Sequence, residues 1–215
     1  MGKYLKYAIG EILLVVIGIL IALQINSWSQ QHQDRKEEQF VLKKLVKNLS
    51  RDTLVLSTQI YGLNQNLSHL KVMRNGTQNG DFNFDKQNTV RALSSIFTFK
   101  PQTTTFDNLI STGKIQLIRN DSITDAIIEY YNGIQSGLNQ VSDADAIYTR
   151  EQIGPYILSK PGGFFLQNEL HHGIWNDSYL LNIVDLKINF NQGLIAHFES
   201  TQTHAKKLIE FISNE

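Results

Sequence analysis

An all-α fold is predicted: a single N-terminal transmembrane helix followed by an elongated up-and-down helical bundle of three long and two short helices. Three observations carry this. Ala8 to Ile25 is almost wholly apolar over 18 positions. Leucine recurs at every seventh position from Leu42 to Leu70. Proline is confined to Pro101, Pro155 and Pro161, so nothing forbids one helix from the apolar run to the middle of the chain. Residues 1–28 are the expected anchor and 29–215 the expected bundle domain.

The apolar run approaches the roughly 20 residues a helix needs to cross about 30 Å of hydrocarbon. Tyr7 and Trp28 flank it, about 31 Å apart on a helix, the spacing of an interfacial aromatic belt. A cleaved signal peptide is disfavoured, because the run ends Leu20-Ile21-Ala22-Leu23-Gln24 without small residues placed for cleavage. No cysteine is present to acylate. Lys3 and Lys6 lie close to the run, whereas Arg35 and Lys36 come later and are followed at once by Glu37 and Glu38. The expectation is a single-pass topology with the N-terminus inside and the C-terminal domain exported.

After Trp28 about 187 residues remain, enough for one domain with a real core. Apolar residues make up 41% and charged residues 19%, a globular profile. Without Lys3, Lys6 and Glu11 the 20 basic and 20 acidic groups become 18 against 19, so no nucleic-acid footprint is expected. The absence of cysteine excludes disulfides, thiolate metal sites and cysteine nucleophiles.

The first long helix runs to about Met73. Leu42, Leu49, Leu56, Leu63 and Leu70 form its stripe, with Val46, Thr53, Ile60 and Leu67 beside it. The position three after each leucine reads Leu45, Asp52, Gln59, Asn66, too polar for a strict coiled coil, so a bundle helix with one apolar face is expected. Gly62 is a candidate bend, and Asn75-Gly76 and Asn79-Gly80 suit a closing turn. Asp85 caps a helix expected to end near Phe99, ahead of Pro101. Thr103 to Gly113 reads as a short helix and Lys114–Ile118 as a packed connector. Asn120-Asp121-Ser122 starts the second long helix, with Ser122 and Asp125 at capping-box spacing, and its buried stripe includes Ile123, Ile127, Tyr131, Ile134, Leu138, Val141 and Tyr148. Helical periodicity lapses over 152–178 and returns from Tyr179 to the end, with Gly193 a candidate break.

The run Lys6-Tyr-Ala-Ile-Gly-Glu-Ile-Leu-Leu-Val-Val-Ile-Gly-Ile-Leu-Ile-Ala-Leu-Gln-Ile-Asn-Ser-Trp28 resembles the opening of a bacterial membrane-anchored family known only as a domain of unknown function. Phe106-Asp-Asn-Leu-Ile-Ser-Thr-Gly-Lys-Ile-Gln-Leu-Ile-Arg-Asn120 and Ile127-Ile-Glu-Tyr-Tyr131 are similar to its second recurring segment. The resemblance covers under a third of the chain. It implies one membrane span and a helical domain, and it brings no activity and no catalytic residue. Nothing of the pattern falls between Gly154 and Ser178.

Glu11 sits one turn inside the apolar run, where an acid is expensive. It shares a helix face with Val15, Gly18 and Ala22, and Gly18-x-x-x-Ala22 lets backbones approach. Glu11 either snorkels to the interface or hydrogen-bonds a partner helix, and the small residues favour the second, hence a homo-oligomer through the span. Phe164, Phe165, His171, His172 and Trp175 mark a possible ligand or partner surface. The adjacent histidines point apart on an irregular backbone, so a metal is not expected. His197 and His204 read as surface or half-buried, and the carboxylates as solvating charge with no pair singled out. No phosphate loop and no Gly-x-Ser-x-Gly occurs. No cofactor and no enzymatic activity are expected.

Two function classes lead. One is a membrane-anchored interaction or scaffold protein with an unidentified protein partner. The other is an extracytoplasmic ligand-sensing module of four-helix type, with a cleft near 152–178. With about six residues ahead of the span, the sensor needs a partner helix to relay its state. A hydrolase ranks third.

Overall fold

A computed structural model describes residues 2–160 and 172–214, and every regular element in them is helical. Helix α1 (Gly2–Gln78) is one unbroken rod of 77 residues, about 115 Å long. Then come α2 (Lys86–Ser94), α3 (Thr104–Ser111), a 3-10 turn (Lys114–Leu117), α4 (Asp121–Tyr148), a π turn (Thr149–Ile153), α5 (Gly154–Leu158), α6 (His172–Trp175) and α7 (Ser178–Ser213).

These elements make four staves. The first is α1 from about residue 34 upward. The second descends beside it as α2, an extended stretch, α3 and the 3-10 turn. Asn48 Nδ2 donates to Thr105 Oγ1 at 2.9 Å, and Lys114 pairs with Glu37 at 2.5 Å. The third stave climbs again as α4, the π turn and α5, starting where Arg119 N–H donates to Glu38 at 2.7 Å. The fourth, α7, returns antiparallel to α1: Arg74 bridges Asp185 near the top, and Gln202 Nε2 donates to Thr53 O lower down. Three long helices were expected and are found. The short ones number four among the described residues, rather than two.

Where the elements depart from expectation, local physics gives the reason. α1 runs past Met73 to Gln78, and Gly62 does not bend it: a Cβ there would lie 2.7 Å from the Phe97 ring, so the glycine serves a close approach. Of the two Asn-Gly steps only Gly80 takes a positive φ, +71°; Gly76 stays helical, with the Asp81 carbonyl where a Cβ would go. α2 stops at Ser94, not Phe99: Ser95, its C-cap, is extended, and the Ile96-Phe-Thr-Phe99 run that follows takes no regular structure ahead of Pro101. α4 is capped by Asn120, whose Oδ1 accepts from Ser122 and Ile123 N–H, rather than by Ser122. The helical path continues beyond 152 because the π turn widens the backbone just before Pro155, which has no N–H to give. α7 passes Gly193 without a break and is capped by Asp177.

The apolar core divides in two. The lower cluster holds Leu42, Leu45, Leu49, Leu56 and Leu63 with Phe106, Ile123, Ile127, Tyr131 and Phe198. The upper holds Leu70, Met73, Leu93, Ile153, Trp175 and Ile183. Between them lies a polar layer. Lys187, fully buried, donates to Asp145 Oδ1 at 2.5 Å, Thr149 Oγ1 at 2.9 Å and Ser95 O at 2.9 Å. Asn191 and Ser142 are buried one turn away, and Asn66 stands between Leu63 and Leu70 on α1. Atoms of Asn66, Ser142, Asp145 and Asn191 in this layer find no partner among the described groups. The expectation that every carboxylate is solvated is thus corrected at Asp145, and again at Asp52.

Candidate interaction surface

From Ile9 onward the apolar stretch of α1 packs against nothing among the described residues. Its most apolar 18-residue window has a mean hydropathy of 2.3 and none of it is buried, so this helix is long and apolar enough to cross a membrane. Glu11, Val15, Gly18 and Ala22 are all exposed, and a Cβ at Gly18 would meet nothing within 4 Å. Within one copy this face is free.

Above residue 34 the same helix is half buried. The leucine seam faces the bundle; on the opposite side Phe40, Leu54, Tyr61 and Val72 are 59, 70, 67 and 54% exposed. Phe40, Leu54 and Tyr61 fall two residues before seam leucines, about 200° around the helix from them. Lys47 sits between Phe40 and Leu54 on this strip, and the Lys44 ammonium lies 4.4 Å above the Phe40 ring. From Phe40 to Gln78, α1 carries Lys43, Lys44, Lys47, Arg51, Lys71 and Arg74, against a single acid, Asp52.

Asp52 points inward. Its carboxylate accepts from Gln102 N–H at 3.1 Å and from the Tyr130 hydroxyl at 3.3 Å. Burial pushes its pKa up to about 6, the two hydrogen bonds and Arg51 pulling the other way. Burial also pushes the Asp145 carboxyl up and the Lys187 ammonium down, while their mutual attraction opposes both shifts. Burial raises the Tyr130 and Tyr131 phenols as well, with Asp52 adding to both shifts.

A groove of about 350 Å³ runs between α4 and α7. Ala126, Tyr130 and Phe211 give it apolar walls, and Glu129, His197, His204 and Lys207 ring it. Among the described residues no three histidines and carboxylates converge as a metal site.

The surface proposed from residues 164–175 is corrected in part. Trp175 is buried in the upper core, its ring edge-on to Phe84 at 5.1 Å, and is no contact surface. Phe164, Phe165 and His171 lie outside the described residues, as does the side chain of His172. The basic, apolar outer strip of α1 does not stand out in the sequence beside the leucine seam. Its signal was present as the unmatched Phe40, Leu54 and Tyr61 at multiples of seven.

Fold and surface together define an all-helical four-stave bundle standing on one long, bare apolar helix. The chain belongs to the family of unknown function DUF6090, whose model matches residues 11–148, from the apolar run through α4. No curated protein and no solved structure matches it.

Proposed function

We propose that this is a single-pass, membrane-anchored interaction component. Its apolar run crosses a bacterial inner membrane, N-terminus inside, and the bundle stands in the periplasm to bind protein partners, copies of itself included. It is no enzyme in this reading. The observation that carries the proposal is the exposed strip Phe40–Leu54–Tyr61–Val72 on the outer side of α1, opposite the seam. Four large apolar side chains aligned on one line of a rod already buried along its other side support a docking face.

The test is cross-linking of the full-length protein in native membranes, beside a Leu54→Asp/Tyr61→Asp variant. The reading expects adducts above the monomer that the variant loses. A monomer in both samples overturns it.

The α4/α7 groove favours a second reading, a ligand-sensing module of four-helix type acting through a partner. It requires a small molecule that raises the melting temperature and loses this effect in a His197→Ala/His204→Ala variant.

A further inference from the structure

We infer that the partner of the α1 strip is the α4 face of a second copy of this chain, anchored in the same membrane. This rests on the membrane-anchored reading and adds to it which surface meets which. Lys43, Lys47 and Arg51 follow one another at four-residue steps on α1, all exposed. Asp121, Asp125 and Glu129 follow one another at the same steps on α4, also exposed. Neither Lys43 nor Lys47, nor any of the three acids, makes a side-chain hydrogen bond or ion pair among the described residues. From Asp121 to Tyr148, α4 has no lysine or arginine at all. A chain with balanced total charge therefore carries an exposed basic ladder on one helix and an exposed acidic ladder on another.

Three geometric facts make the ladders fit between copies and not within one. First, α1 and α4 each pack along α7 and meet only across the core, so their outer faces point in different directions and stay free together. Second, both climb the same way. Arg119 is held to Glu38 and Tyr130 to Asp52, so residues 119–130 of α4 span the levels of residues 38–52 of α1. Third, two copies rising from one bilayer share the same levels. Asp121, Asp125 and Glu129 of one then face Lys43, Lys47 and Arg51 of the next, rung for rung, at about 6 Å per step. Just above these rungs stands Leu54, level with Tyr130 on the α4 wall of the groove.

A symmetric α1–α1 pair is disfavoured by the same charges, since it sets Lys47 against Lys47. Exposed ion pairs add little affinity singly, but complementary ladders select partner and register, and confinement to a bilayer raises the effective concentration. The contact uses two different faces of each copy, so it propagates into a row or closes into a ring.

The experiment uses the full-length protein in membranes, where the absence of native cysteine makes engineered pairs clean. Copies bearing Lys47→Cys and copies bearing Asp125→Cys, differently tagged, are co-expressed and oxidised. A mixed disulfide between the tags is expected, with little product from either variant alone. Reversal by Lys43→Glu/Lys47→Glu/Arg51→Glu is expected to cut cross-linking of wild-type copies about tenfold, and Asp121→Lys/Asp125→Lys/Glu129→Lys on the other copy to restore it. Lys47→Cys pairing with itself overturns the inference. So does Gly18→Cys pairing without the mixed product, although association through the span leaves the interaction reading standing. No adduct at any position removes both.

Discussion

Lys187 Nζ lies 2.5 Å from Asp145 Oδ1 in the middle of the bundle, and neither side chain reaches solvent. The pair joins α7 to α4 between two apolar clusters, with Thr149 and the Ser95 carbonyl completing the lysine's partners. A buried polar layer there penalises any vertical slip of α7 along α4 that would part the two charges.

Removing one member of the pair strands the other. Lys187→Met is expected to destabilise the detergent-solubilised protein by about 3–5 kcal/mol, read as a shift in the urea midpoint. The double replacement Asp145→Leu/Lys187→Met is expected to recover most of the loss. Equal damage from the single and double variants would refute this account of the pair.

Asp52 makes stability depend on pH. Its folded pKa, about 6, stands above the ordinary 3.8, so the folded state holds a proton that the unfolded state releases first. Its contribution to stability is greatest below pH about 4, falls as the pH rises to about 6, and is flat above that. Asp52→Asn keeps an acceptor for Gln102 N–H and is expected to flatten this slope and to be at least as stable as wild type at pH 8. Urea midpoints measured from pH 4 to 8 decide it.

Gly76 is held by contact with backbone. A Cβ would lie 2.5 Å from the Asp81 carbonyl oxygen, which cannot swing aside as a side chain does. Gly76→Ala is therefore expected to cost about 1–3 kcal/mol, although alanine is the better helix former by about 1 kcal/mol. A gain in thermal midpoint would show that the turn after α1 yields more easily than its geometry implies.

Much of the fold was legible because its signal is periodic. Leu42, Leu49, Leu56, Leu63 and Leu70 are all in the core, as their spacing requires. Ile123, Ile127 and Tyr131 on α4 and Phe198, Ala205 and Leu208 on α7 follow the same rule. Asp52, Asp145 and Lys187 were illegible for the converse reason. A single charged residue on a helix looks like a solvated one until its partner, 42 residues away for the pair Asp145 and Lys187, is brought beside it by the fold. Trp175 was misjudged as surface because the segment around it lacks periodicity, and only Phe84 and the upper core reveal where it goes. The outer strip of α1 was overlooked since one apolar stripe on a helix was enough to explain it.

The chain has two tryptophans, Trp28 at the end of the apolar run and Trp175 in the upper core. This allows the anchoring claim to be tested with one fluorophore. A Trp175→Phe variant reconstituted into vesicles containing brominated lipids leaves Trp28 as the sole emitter. Strong quenching of Trp28 is predicted, because the account places its ring at the membrane interface. Emission unchanged by the brominated lipid would contradict the account at its base.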